Sequence, residues 1–160
     1  MEKVFVKSDK ICGFYGTLEL VVTEAATGKV VETKTWDNLV VTNLNNQAVY
    51  LVGGELLAIG YIDRVALGVG SVAATVADES ITNPPGGEES KAVTATFGSS
   101  PVSVTFTATF GADDANGVAY TEAGLLFAGV SPSLAARRVF GTMTKSNLFV
   151  WTFNWTLRWV

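Results

Sequence analysis

Few residues in this chain are of a type that does chemistry. Glu122 lies in an otherwise apolar run, Ala119 to Phe127, and Arg137-Arg138 is the one adjacent basic pair. A carboxylate in such a run either acts as an acid or base, or sits in an arginine fork as a structural group. Glycoside hydrolysis would need a second carboxylate about 5–9.5 Å away, and Asp63 is the comparable strand candidate. The structural alternative is favoured, because an unpaired carboxylate in apolar surroundings is costly. Glu122 is therefore expected to pair with Arg137 or Arg138. Asp113, Asp114, Asn116 and Gly117 offer clustered oxygens of the kind calcium takes. They lack the EF-hand spacing and its distal glutamate, so a plain turn is expected. Gly68-Val69-Gly70 follows a strand but has neither the third glycine nor the helix that a phosphate-binding loop requires. Cys12 is the single cysteine, and the chain has no histidine. That removes the intrachain disulfide, the cysteine cage, the common zinc sites and the Ser-His and Cys-His nucleophiles. No catalytic residue, metal or cofactor is expected, and no enzymatic activity.

The elements that would hold these residues are mostly strands. Leu18, Leu20 and Val22 alternate with polar neighbours. Ala26-Thr27-Gly28-Lys29 then makes a hairpin turn with a positive φ at Gly28, and Val30 to Trp36 returns. One helix is expected over residues 43–53, capped by Thr42 or Asn43 and ended by Gly53-Gly54. Its apolar stripe is Leu44, Ala48, Leu51 and Val52. Further strands follow at Ile62 to Val69, Lys91 to Phe97, Val102 to Phe110, Val118 to Phe127 and Ala135 to Thr144. In the strand Val102 to Phe110, Val102, Val104, Phe106, Ala108 and Phe110 are expected to face inward. In the last strand Phe149, Trp151, Phe153, Trp155, Leu157 and Trp159 share one face and form the expected core. Such a row is more readily core than a platform for sugars or bases. Residues 71–90, with Pro84-Pro85-Gly86-Gly87, cannot be strand or helix interior and are expected to form a long, flexible exposed loop. The organisation is an arm at residues 1–13 and a single β domain at 14–160. The fold class is mainly β, an antiparallel β-sandwich or jelly-roll-like barrel with one short helix.

Composition bounds the partners. Charged residues are 16% of the chain against 48% hydrophobic, with a net charge of −4. A typical chain has about 25% charged residues. The mean hydropathy of +0.33 implies apolar surface that neighbouring subunits would cover. Nothing groups Lys and Arg as phosphate binding requires, so nucleic acid is not an expected partner. No apolar run reaches a membrane span of ~18 residues, and the opening Met1-Glu2-Lys3-Val4 lacks a signal-peptide core. Synthesis in a cytoplasm is expected, without membrane association.

Several segments resemble small virion proteins of tailed bacteriophages. They are Asn38 to Thr42 leading into the helix, Arg64-Val65-Ala66-Leu67-Gly68-Val69-Gly70 with the small residues after it, and Val104 to Phe110. Asn116-Gly117, Thr121 to Leu126, Ala136-Arg137-Arg138-Val139-Phe140, Lys145 and the aromatic final strand continue the likeness, which covers roughly residues 35 to 160. The resemblance implies a β-rich structural component of the virion, assembled in the host cytoplasm. Its short length points to a capsid decoration (cement) protein that binds and stabilises the head. A tail, baseplate or fibre adaptor is the alternative, and a host-carbohydrate-binding module with exposed tryptophans is the second. The expected partners are further copies of the chain, with a trimer favoured, and the major capsid protein or another virion protein. Val4 and Val6 of the arm and Pro84 and Pro85 of the loop are the expected assembly contacts.

Overall fold

The computed structural model describes residues 13–52, 60–130 and 133–159. The arm and its expected contacts Val4 and Val6 lie outside them. The described chain folds as β1 (Phe14–Glu24), β2 (Val30–Val40), α1 (Thr42–Val52), β3 (Tyr61–Gly68), β4 (Glu89–Ala92), β5 (Thr94–Ser99), β6 (Val102–Phe110), β7 (Ala119–Ala128), β8 (Leu134–Thr144) and β9 (Phe149–Trp159). The nine strands form one antiparallel sheet in the order β4-β3-β7-β8-β2-β1-β9-β6-β5. The sheet curls on itself until its outer strands approach, so β4 lies against β6. Among the described residues the result is a nearly closed β-barrel with one short helix.

Period-two patterning builds the walls. Along β1, Leu18, Leu20 and Val22 are buried while their neighbours are half-exposed. The β1–β2 hairpin closes at Gly28, where φ is +69°, a conformation that favours glycine. β2 serves two neighbours in turn. It pairs with β1 from Val30 to Asn38, and then only Leu39 and Val40 pair with β8. Strand β9 lies between β1 and β6, in register with each over most of its length. Its inward face carries Trp151, Phe153, Trp155 and Leu157, all buried. Phe110 and Tyr120 meet this row edge-on, Phe110 against Phe153 at 5.8 Å and Tyr120 against Trp151 at 6.4 Å. On the outer face the polar residues satisfy one another across strands. Thr105 bonds Thr156 at 2.8 Å, Thr107 donates to Asn154 at 2.9 Å, and Asn154 donates to Glu19 at 2.9 Å.

Four expectations need correction. Trp159 is 54% exposed rather than core. It lies one residue past the last β6 pairing, Ser103 with Arg158, and its ring rests edge-on against Phe14. Phe149, at the other end of the row, is only half-buried. Val102 is exposed, because it opens β6 at the tip of the β5–β6 hairpin, beyond the reach of the opposite wall. Lys91 to Phe97 is not one strand. The chain breaks at Val93, whose amide bonds the Asp63 carbonyl; β4 stays on β3 while β5 crosses to β6. That crossing brings the two sheet edges together.

The helix spans Thr42–Val52, one residue ahead of the expected range. Leu44 is buried and Ala48 half-buried; the side chains of Leu51 and Val52 lie outside those described. The buried face also holds Gln47, whose Oε1 accepts from the Gly60 amide at 3.2 Å. A polar residue in the stripe is tolerated there because it satisfies a backbone donor that would otherwise be orphaned.

Candidate functional site

The most concentrated chemistry surrounds Glu122 on β7. Antiparallel pairing places it between Gly68 of β3 and Val139 of β8, with its side chain fully buried. Arg137, two residues before Val139 on β8 and 6% exposed, donates from Nε to Glu122 Oε2 at 2.6 Å. Glu122 Oε1 accepts from the Gly70 amide at 2.8 Å and the Thr82 amide at 2.7 Å. Arg137 Nη1 continues to Asp78 Oδ2 at 2.7 Å, and Asp78 also accepts from the Thr75 hydroxyl and amide. Burial pushes the Asp78 carboxyl up, but the Thr75 and Arg137 hydrogen bonds outweigh it, and the net direction is down. Burial lowers the Arg137 guanidinium, and its bonds to Asp78 and Glu122 more than reverse that. Glu122 thus has both oxygens committed to three donors. It is an acceptor that holds backbone, and it presents no atom to a substrate.

What it holds is the segment after β3. Residues 71–88 carry no helix or strand and are mostly exposed, as expected of a loop, but several bonds tie them to the barrel. Gly70 and Thr82 are clamped together on one carboxylate oxygen, and the Val69 amide bonds the Thr82 carbonyl at 2.9 Å. The Thr42 amide, opening α1, bonds the Val76 carbonyl at 2.8 Å. Ile81 packs over Gly124, where a Cβ would lie 2.7 Å from the isoleucine methyl. Arg64 on β3 holds Glu88, Nε to Oε1 at 2.8 Å. The segment is a strap tied across the β3–β7–β8 wall. Pro84 is buried within it and is not available as an assembly contact; Pro85 is exposed.

The same carboxylate accounts for Gly68-Val69-Gly70. A Cβ on Gly68 would lie 2.6 Å from Glu122 Oε1 and 2.8 Å from the Thr82 carbonyl, and one on Gly70 would collide with Glu122 Oε1. The glycines clear space for a buried acid rather than for a phosphate. Of the two candidate arginines, the structure brings only Arg137 to Glu122. Arg138 points the other way along the alternating strand and donates to the Asp37 carbonyl at 2.9 Å. Asp63 pairs with Arg64 at 2.8 Å. It sits five residues before Gly68, Glu122's partner, so it is ~17 Å away along the strand. That is too far for the carboxylate pair of a glycosidase.

A second buried ion is one to which the sequence assigned no partner. Lys145, 1% exposed, directs its ammonium into the turn of Asp113 to Gly117. Nζ donates to the Asp114 carbonyl at 3.0 Å, Asn116 Oδ1 at 3.1 Å and the Ala112 carbonyl at 3.3 Å. Of the residues considered for calcium, Asn116 gives its side-chain oxygen and Asp114 its carbonyl to this lysine, while the Asp114 carboxylate accepts from Lys91 and the Gly111 amide. Burial lowers the Lys145 pKa, against the pull of Asp114, Asp113 and Glu89. The turn wraps tightly enough that Ala115 takes φ 55° and Gly117 φ +79°. The Asp114 carboxylate meets Lys91 of β4 at 2.6 Å, so this turn also ties the barrel's nearly closed seam. The available signal was a lone lysine in the link between β8 and β9, which spacing cannot pair with an upstream turn.

Among the described residues there is no cluster of three or more His, Cys, Asp or Glu able to hold a metal, and no helix is long and apolar enough to cross a membrane. The remaining conspicuous feature is apolar surface. Phe97 is 80% exposed on the edge strand β5, close to exposed Val102, and Val30 and Val31 are exposed on β2. The class this defines is a nearly closed antiparallel barrel, braced by buried ions, with exposed apolar residues on the β5–β6 hairpin and on β2. Comparison with protein-family models, curated proteins and solved structures finds no match.

Proposed function

We propose that the chain is a structural subunit of a tailed-bacteriophage virion, a decoration protein that self-associates and binds the assembled head. The observation that carries this reading is the placement of exposed apolar residues on strand edges, Phe97 and Val102 on one hairpin and Val30 and Val31 on β2. Scattered exposed apolar residues are ordinary, but grouped ones beside unpaired backbone favour contact with another protein chain. The ionisable groups of the interior point the same way. Glu122, Arg137 and Lys145 are consumed in bracing loops, which suits a rigid building block rather than a catalyst. The sequence resemblance to small phage virion proteins supplies the particle. The carbohydrate-binding alternative is weakened because Trp151 and Trp155 are buried and cannot stack a sugar, and the exposed Trp159 already has its ring against Phe14. The test is to add purified protein to phage heads lacking it and to image them by cryo-electron microscopy. Added density at symmetry-related positions on the shell is the expected result. Density confined to the tail would replace the head by the adaptor role, and no binding at all would overturn the virion reading.

A further inference from the structure

The sheet has two outer strands, β4 and β5, and they are finished differently. β4 is four residues long, carries Glu89 and Lys91, and lies against β6. Shortness, charge and cover are devices that keep an edge from pairing with another chain. β5 has none of them. All six of its residues, Thr94–Ser99, are exposed. It pairs with β6 in unbroken register, from Thr94 with Thr107 to Ser99 with Val102. Among the described residues no strand pairs with its other side. No charged residue occurs between Lys91 and Asp113, so the whole β5–β6 hairpin is uncharged. Alternation sets Thr94 and Thr96 on the outer face, beside Thr107 and Thr105 of β6. Ala95 and Phe97 take the other face, beside Phe106 and Val104. There Phe97 is 80% and Val102 72% exposed.

We infer that β5 is the surface through which two copies of the chain associate, edge to edge and antiparallel about a two-fold axis. Charge selects a second copy as the occupant. Each chain carries a net charge of −4, so two copies repel, and an uncharged edge is where they meet without like charges face to face. The strand is also complementary to itself. A two-fold axis beside Thr96 sets this residue opposite its own counterpart, Phe97 opposite Ala95 of the other copy, and Gly98 opposite Thr94. On one face each large ring then meets a small residue, and on the other two hydroxyls meet at bonding distance. The area is of the right order. Two Phe97 rings together remove on the order of 300–500 Å² from water. Val102 and ~20 Å of paired strand add to this. The contact falls near the low end of specific interfaces, about 1,200 Å² in total, so the dimer is reversible. An isologous contact of this kind also closes on itself and leaves no free β5 edge for aggregation.

The inference rests on the self-association in the proposed function, and not on the identity of the particle. Its test follows the native mass of the full chain against concentration by sedimentation. Wild type, Thr96→Lys, Thr96→Glu and an equimolar mixture of the two variants are compared. Residue 96 is exposed, so both variants are expected to fold, which urea unfolding checks. The wild-type mass should double as concentration rises. Each variant alone should need a concentration higher by ~10-fold or more, because like charges meet across the axis. The mixture should regain the dimer, since lysine then faces glutamate. Thr96→Cys with Cys12→Ser gives a second readout that needs no charge: mild oxidation should yield a covalent dimer. Wild-type oligomers that Thr96→Lys leaves intact would overturn the β5 edge and leave self-association standing. A mixture no better than its components, without a disulfide at residue 96, would overturn the two-fold axis. A wild type that is monomeric at every concentration would overturn the inference and self-association together, while binding to heads is decided separately by imaging.

Discussion

Removing Arg137 should be the most damaging single change among the charged residues, and its effect can be worked from the geometry. Arg137→Met keeps most of the side-chain volume and takes away the partner of a carboxylate that is wholly buried. Breaking a buried pair from one side costs about 3–5 kcal/mol, because the remaining charge is left unsolvated. The lost contact to Asp78 adds little. That carboxylate is 18% exposed, and water can replace part of what it loses. Against a domain stability of roughly 5–15 kcal/mol, the substitution takes a large share. Glu122→Gln alone should also destabilise. Its single carbonyl oxygen can serve the Gly70 and Thr82 amides or Arg137 Nε, and the amide nitrogen opposes a donor on the other side. The double variant removes both charges, and the Gln oxygen keeps the two backbone bonds. It should therefore lose less than the sum of the singles by about 0.5–3 kcal/mol, the usual size of coupling between residues in contact. Urea unfolding with unchanged m-values measures each arm of the cycle. Amide exchange at Gly70 and Thr82 should accelerate in Glu122→Ala before that of β9 does. A loss below about 1 kcal/mol for Arg137→Met, or strict additivity in the double variant, would refute the account, since a buried pair must couple.

Four further outcomes follow from the same structure. Gly70→Ala should lose about 1–3 kcal/mol by overpacking against Glu122, and combining it with Glu122→Ala should show a loss smaller than the sum; an additive result counts against the clearance argument. Lys145→Met should lose about 1–3 kcal/mol from unsatisfied carbonyls and raise the mobility of residues 112–116, seen as faster local amide exchange. Trp155→Ala should lose about 3–5 kcal/mol, and a loss under about 1 kcal/mol would remove the aromatic row from the core. On acidification, Asp78 and Asp114 have folded pKa values below their ordinary 3.8, so the folded state holds fewer protons there. Their stabilisation is complete above that value and is lost as pH falls through the folded values. Unfolding free energies measured between neutral and strongly acid pH should decline in that window, and Asp78→Asn should flatten the decline.

Much of the barrel was legible in residue order because strand and core are local properties. The alternation of Leu18, Leu20 and Val22, and of Trp151, Phe153, Trp155 and Leu157, assigns each side chain to a face before any neighbour is known. A carboxylate within the apolar run of β7 announces that it needs a partner, and two arginines were on offer. Alternation could not choose between Arg137 and Arg138, since a one-residue shift in register exchanges their faces. The β7–β8 pairing made the choice. Where a strand stops being covered was equally invisible. Val102 and Trp159 continue perfect patterns but lie at strand ends with no wall opposite them. Small residues and the Pro84-Pro85-Gly86-Gly87 run marked residues 71–90 as a loop, but could not show that Glu122, forty residues downstream of Thr82, ties it to the barrel. Lys145 and the 112–116 turn met in the same way. Periodicity records which side of its own strand a residue takes. Which strands become neighbours, how far they overlap, and therefore which buried charges meet, depend on contacts between distant parts of the chain, and only the closed sheet decided them.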